Sequence, residues 1–429
     1  MSTAVLTPAA LAGEIAPPPS KSAAHRAILC AALAEGESVL SPVALSDDIK
    51  ATIGLAQALG AETRLDGARL TVTGIRREGR PAKGRAVLPC GESGSTLRFF
   101  IPVAAALGVD AVFTGEGKLP TRPIGVYLDC LPGAGVACKT QGGLPLSISG
   151  RLKPGVFSLP GDVSSQFITG LLFALPLLDG ESEIRLTTPL QSAGYIDLTL
   201  QILAEFGIEV EPLPGRWRVK GGQRYRPRSF RVEADWSQAA FFLAAAAFGS
   251  RLALTGLRLD SVQGDKAALS LFEGFGVAVE RRADGALLCA PPAGRLKAQD
   301  IDAAQIPDLV PILAVTAALA DGVSRIHHAQ RLRIKESDRL KTTAALIGAL
   351  GGRCEETADG LLIHGVSRFT GGTVDGANDH RIVMAAAMAA LGAEDAVTIT
   401  GAQAVNKSYP TFFDEYNRLG GHANGIHLG

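Results

Sequence analysis

Aromatic residues are scarce in this 429-residue chain, at 5% of positions with only 2 tryptophans and 5 tyrosines. Its core must therefore close on aliphatic and small side chains, and 50 glycines supply many turns. Neither sign of charge is in excess: Lys plus Arg and Asp plus Glu stand at 42 each. That balance excludes the broad basic field of a nucleic-acid-binding protein, so any bound anion must be met by locally concentrated charge. The six cysteines, Cys30, Cys90, Cys130, Cys138, Cys289 and Cys354, form no CxxC pair. The closest two, Cys130 and Cys138, have no histidine nearby, which excludes a metal framework and fits reduced thiols in the cytosol. No basic segment followed by an apolar run marks a secretory leader. No apolar run approaches the ~20 residues of a membrane span. A soluble, cytoplasmic protein of about two to four domains is expected.

What the chain does have is self-similarity. An Ala/Leu-rich helix, a glycine turn and a strand recur in Ile28–Val43, Val103–Glu116, Leu171–Thr188, Phe241–Leu257, Ile312–Ala329 and Val383–Ala402. The turn glycines Gly36, Gly108, Gly180, Gly249, Gly322 and Gly392 follow one another at roughly 70-residue spacing. After each comes an amphipathic helix and apolar alternation split by a turn, as in Ile53–Gly74, Leu200–Gly221, Leu269–Ala290 and Thr342–Gly365, with Val126–Gly150 a looser copy. The last copy is truncated near Gly420-Gly421. A short strand precedes each first helix, at Gly13–Ala16, Ala86–Pro89, Val156–Leu159, Phe230–Glu233, Asp300–Ala303 and Gly372–Asp375.

The repeat predicts an α/β fold of six βαβαββ units gathered into two domains of three. Isolated units cannot bury their apolar faces, so they must cluster. The expected boundaries place units 1–3 in an inserted domain, residues 19–234. Residues 1–18 and 235–429 form the other domain, from the N-terminal strand and units 4–6. The Pro17-Pro18-Pro19 run makes a stiff crossing.

If the units are equivalent, so are the six starts of their first helices. They carry Pro19–Arg26, Gly91–Arg98, Gly161–Phe167, Ala234–Ser237, Ile306–Leu309 and Ala377–Arg381. Capping alone would explain Ser, Thr and Asp there. It does not call for Lys21 and Arg26 beside Ser20 and Ser22, nor for the Ser164-Ser165 pair. Free N–H groups and the positive dipole end suit anions. The expected site is an anion-binding cleft between the two domains. Three basic stretches add to it: Arg122-Pro123, the segment Arg331–Arg339 (RLRIKESDR) and Lys407.

These residues carry a family resemblance. PSKSAAHR, GESGSTLR, Arg122-Pro123, Ser164–Gln166, RLRIKESDR, the Asn378–Arg381 stretch NDHR and Lys407 occur in the order of the EPSP synthase (3-phosphoshikimate 1-carboxyvinyltransferase) family, over essentially the whole chain. The resemblance implies transfer of the enolpyruvyl group of phosphoenolpyruvate to the 5-hydroxyl of shikimate 3-phosphate, on the route to chorismate and the aromatic amino acids. No cofactor or metal is expected, nor a nucleic-acid or membrane partner, and the chain is expected to act as a monomer. By resemblance, shikimate 3-phosphate is held by Lys21, Ser22, Arg26, Ser164, Ser165, Gln166, Ser192, Asp308 and Lys335, with Tyr195 beside its ring. Phosphoenolpyruvate is held by Lys21, Gly94, Arg122, Gln166, Arg339, Arg381 and Lys407. Asp308 is the candidate base near the hydroxyl, Glu336 carries the proton at carbon, and Lys21 stabilises charge or shuttles a proton.

Four positions depart from the familiar pattern. Pro18-Pro19 replaces Pro-Gly, His25 stands where asparagine is common, Glu92 replaces an asparagine, and Arg331 takes a position that is asparagine in some members. The sister reading is UDP-N-acetylglucosamine enolpyruvyltransferase, which usually has a cysteine in the loop before its Arg-Pro pair; Thr114–Pro123 has none. A repeat protein that binds anions without catalysis is the third reading.

Overall fold

The structure, a computed structural model, describes residues 2–75 and 85–425. The chain divides into two compact units, Met1–Pro18 with Glu233–Gly429, and Pro19–Val232. Each holds three four-stranded mixed sheets with the helices of their repeats.

The second repeat illustrates the unit. Strand Ala86–Pro89 runs parallel to Ala111–Thr114, and the helix Gly94–Leu107 makes the crossover between them. Ala111–Thr114 then pairs antiparallel with Leu146–Gly150, whose outer neighbour is Val136–Lys139. A parallel pair needs such a crossover, whereas the hairpin closes locally. This crossover helix starts just past the end of a parallel strand, which places its N-terminal N–H groups at that end of the sheet.

Two strands are not where the repeat alone places them. Ala12–Ile15 precedes the first helix, yet it pairs in parallel with Arg251–Leu254 of the fourth repeat. Ser229–Arg231 precedes the fourth helix, yet it pairs with Glu37–Ser41 of the first. The chain passes from one unit to the other after each strand, so each strand completes the sheet it has just left. The truncated sixth copy is also made whole. Thr3–Thr7 pairs antiparallel with Val397–Thr400 and with His422–Asn424, taking the inner hairpin position.

Small residues let the helices pack closely. In the unit containing Glu233–Gly429, the alanine-rich helices Trp236–Ala247 and His380–Ala389 are buried almost throughout and share a core with Ile312, Leu313 and Phe412. Each such buried Leu, Ile or Phe contributes about 1.5–3 kcal/mol. In the unit Pro19–Val232, the helix Gly94–Leu107 packs on Ser165–Ala174. Gly170 permits that approach, since a Cβ there would strike the Arg98 carbonyl and the Tyr127 hydroxyl. The buried Tyr127 hydroxyl sits 2.8 Å from the Arg98 carbonyl and 2.9 Å from that of Phe167, tying the two helices together.

Candidate active site

In the unit Pro19–Val232, the first helices start on serines. Ser20, Ser93 and Ser164 accept from the backbone N–H groups of Ala23, Thr96 and Gln166. Lys21 opens the helix Lys21–Leu33 and donates to Asp48 Oδ2 at 2.6 Å. Arg26, one turn on, is buried, and its guanidinium donates to the Ser22 carbonyl, the Tyr195 carbonyl and Thr199 Oγ1 at 2.8, 3.0 and 2.8 Å. It lies over the rings of Phe99 and Tyr195. Burial pulls the Arg26 guanidinium down to about 10. Arg26 thereby joins the turn carrying Ser22 to the helix Ala193–Glu205. At the cap of that helix Ser192 is buried and left-handed, with φ of 59°, a conformation that is costly for serine.

The helix start at Gly94 is flanked by two arginines. A Cβ on Gly94 would lie 2.8 Å from Arg122 Nη1 and 2.9 Å from Arg98 Nη1. Arg98 donates to Gln166 Oε1 at 2.6 Å, and Gln166 Nε2 donates to Ser95 Oγ at 2.9 Å. Gln166 is thus oriented from both ends of its amide. Ser165 is buried beside it in the first turn of its helix.

The other unit gathers Asp308, Glu336, Arg339 and Arg381. Arg339, with 1% of its surface exposed, is the hub. Its Nε donates to Asp379 Oδ2 at 2.8 Å, Nη1 to Asp308 Oδ1 at 2.9 Å, and Nη2 to Glu336 Oε2 at 2.7 Å and Asp379 Oδ1 at 3.3 Å. Arg381 donates from Nη2 to Asp308 Oδ2 at 2.9 Å and from Nη1 to the Asp308 carbonyl at 3.0 Å. Lys407 Nζ donates to the Asn378 carbonyl at 2.6 Å. That carbonyl is presented by two consecutive left-handed residues, Ala377 and Asn378, each with φ of 51°. That conformation is uncommon outside glycine and is costly for alanine, less so for asparagine.

The charges set each other's protonation. Burial would raise the Asp308 carboxyl, but Arg381, Lys335 and Arg339 outweigh it and hold the group far below the usual carboxylate range. Lys335 is half-buried and makes no hydrogen bond among the described residues. Burial pushes its ammonium down to about 8, with Arg331 and Arg339 adding repulsion and Asp308 and Glu336 opposing it. A bound phosphate would favour the charged form and raise that value. An anion bound beside Lys335 would therefore be held fully below about pH 8 and more weakly as pH rises through it, by at most about ten-fold per pH unit. Calorimetric titration of a phosphate monoester between pH 7 and 9.5 checks this: the decline is expected in the native protein and absent in Lys335→Arg.

A sequence profile of the EPSP synthase (3-phosphoshikimate 1-carboxyvinyltransferase) family matches residues 5–416. The chain belongs to the EPSP synthase family. Curated relatives include 3-phosphoshikimate 1-carboxyvinyltransferases of Clostridium acetobutylicum, 43% identical over 100% of both chains, and of Clostridium novyi, 43% identical over 97% of each. An EPSP synthase structure from Acinetobacter baumannii is 28% identical, covers 99% of this chain and 100% of its own, and superposes with a TM-score of 0.80.

For an EPSP synthase family member, three acidic residues at these sites were not foreseen in a site role. Asp48 pairs with Lys21 but lies in an Asp-Asp helix start that reads as capping alone. Asp379 was legible as a cap in NDHR, not as the buried partner of Arg339. Asp265 is buried near Asp308, its carboxyl pushed up to about 6 by burial and by Asp308 and Asp235 against Arg381; no sequence signal marks it. Of the departures, Arg331 is buried and donates to the Ala304 carbonyl at 2.6 Å, bracing the segment before Asp308. Glu92 lies against Gly117, which has φ of 55°. One group of metal-capable side chains occurs among the described residues, Asp302, His327 and His328. It is half-buried to exposed, and its atoms bond one another at 3.1 and 3.2 Å.

Proposed function

We propose that this chain transfers the enolpyruvyl group of phosphoenolpyruvate to the 5-hydroxyl of shikimate 3-phosphate, acting as a cytoplasmic monomer without cofactor. Both substrates carry a phosphate and a carboxylate, and the helix starts of the two units supply serine caps, free N–H groups and cations to match. In this reading Lys21, Ser22, Arg26, Ser164, Ser165, Gln166, Ser192, Asp308 and Lys335 bind shikimate 3-phosphate. Lys21, Gly94, Arg122, Gln166, Arg339, Arg381 and Lys407 bind phosphoenolpyruvate.

The observation that carries the reading is the clasp on Asp308. The two arginines that hold its carboxylate, Arg339 and Arg381, are the ones assigned to the donor. A carboxylate so paired is a poor base, because its affinity for a proton is suppressed. A donor anion that draws these guanidiniums away leaves Asp308 ionised and more basic beside the acceptor. Asp308 then takes the 5-hydroxyl proton as the oxygen bonds to C2 of phosphoenolpyruvate. Glu336 delivers a proton to the methylene carbon. From the tetrahedral adduct the transfers reverse: Glu336 takes a proton back from the new methyl group, the C2–O bond to phosphate breaks as Asp308 returns its proton to the leaving phosphate, and the double bond re-forms.

Phosphate release from phosphoenolpyruvate tests the reading. It is expected only when shikimate 3-phosphate is also present. Release with UDP-N-acetylglucosamine instead would assign the sister activity, and release with neither would leave an anion-binding protein.

Gly94 gives a second check. Alanine there pushes the Arg122 and Arg98 guanidiniums away, so Gly94→Ala is expected to raise KM for phosphoenolpyruvate about ten- to a hundred-fold with little change for shikimate 3-phosphate. Glyphosate, which combines a phosphonate with a carboxylate, is expected to compete with phosphoenolpyruvate and to lose potency in the same variant. Steady-state inhibition that stays flat to millimolar glyphosate in the native protein would remove it from the donor site.

A further inference from the structure

His25 is 1% exposed and one turn after Lys21, outside the set of residues assigned to either substrate. Its Nδ1 lies 2.6 Å from Thr52 Oγ1 on the helix Asp47–Ala58. Thr52 Oγ1 lies 2.7 Å from Thr96 Oγ1, which donates to Ser93 Oγ at 2.7 Å. Ser93 caps the helix Gly94–Leu107. Four side chains thus form one buried chain across three helices, from the turn that carries Lys21 to the cap beside Gly94.

Each hydroxyl has one proton, so the direction of the chain follows. Thr96 gives its proton to Ser93, so Thr52 donates to Thr96 and His25 Nδ1–H donates to Thr52. The opposite direction would put the proton on Nε2, which is buried and has no partner. A buried unpaired N–H costs more than an unpaired ring lone pair.

We propose that His25 is a positioning residue for the donor site: as the Nδ1–H tautomer it pins Ser93, and with it the helix start at Gly94, in register with Lys21. Burial, with Lys21 and Arg26 alongside, keeps the imidazole neutral and so preserves the donor role. The inference rests on the reading that Gly94 and Lys21 meet phosphoenolpyruvate.

Nitrogen-15 NMR of the native protein at pH 7 decides the tautomer without any assay of turnover. A protonated Nδ1 and a bare Nε2 are expected; a protonated Nε2 overturns the proposal. In kinetics, His25→Leu is expected to raise KM for phosphoenolpyruvate roughly five- to ten-fold, the worth of one hydrogen bond, with KM for shikimate 3-phosphate within about two-fold. His25→Asn, whose amide can donate to Thr52, is expected to recover most of the loss. Thr52→Val, which keeps the shape and breaks the chain, is expected to match His25→Leu and serves if that variant does not fold. An unchanged donor KM in Thr52→Val overturns the proposal. A native protein with no turnover would instead sink the functional reading and leave the tautomer result standing.

Discussion

Asp308→Ala is expected to lower kcat by at least about a thousand-fold while both substrates still bind. On the proposed mechanism, the loss follows from removing the group that takes the hydroxyl proton. Binding survives because the site's cations remain, and Arg339 and Arg381 are released from the carboxylate that occupies them. KM for phosphoenolpyruvate should therefore stay level or fall, which separates loss of a base from general damage. Asp308→Asn should behave alike in kcat, since an amide holds the arginines less tightly and is not a base. Steady-state kinetics with calorimetric binding of each substrate checks this. Near-native turnover in either variant removes Asp308 from the mechanism.

The largest expected effect on stability is at Asp379. Its carboxylate is wholly buried and accepts from Arg339 Nε and Nη2, from Ser337 Oγ at 3.0 Å, and from the Arg381 backbone N–H at 3.0 Å. It is also the cap of the helix His380–Ala389. Asp379→Ala leaves the Arg339 guanidinium buried with two of its bonds unmade. Breaking a buried pair costs about 3–5 kcal/mol, and losing a cap about 1 kcal/mol of overlapping effect. Asp379→Asn keeps the shape and part of the bonding, so its loss should be smaller. Urea unfolding followed by Trp236 fluorescence in a Trp217→Phe background reports on this unit alone, since the chain has 2 tryptophans. A loss under about 1 kcal/mol in Asp379→Ala would contradict the role assigned to the pair.

Much of the fold was legible because the repeat imposes its own periodicity. Glycine turns after alanine-rich helices, and alternation split by Asp-Gly turns, are local signals. The partner of a parallel strand is not. Ala12–Ile15 and Ser229–Arg231 each have the pattern of a first strand; the expected boundaries assign each to a domain, but nothing in either says which sheet receives it. The completion of the last sheet by Thr3–Thr7 was hidden for the same reason, since it joins opposite ends of the chain.

At the candidate site, the motif residues were readable as types but not as networks. Lys21, Arg26 and Arg339 were nameable as cations near helix starts. That Arg26 spends its donors on Ser22, Tyr195 and Thr199, and Arg339 on three carboxylates, depends on contacts across tens of residues. Asp379 shows how one residue type serves two purposes. As a cap it follows from local chemistry. As the charge that offsets a buried arginine it follows only from packing.

In the proposed mechanism Arg339 and Arg381 change partners when the donor binds. A crystal structure of the protein with shikimate 3-phosphate and an unreactive phosphoenolpyruvate analogue tests this most directly. Arg381 and Arg339 are expected to contact the analogue, together with Lys21 and Arg122, with Asp308 within hydrogen-bond distance of the 5-hydroxyl. An analogue bound while both guanidiniums still clasp Asp308, or an acceptor hydroxyl out of its reach, would contradict it.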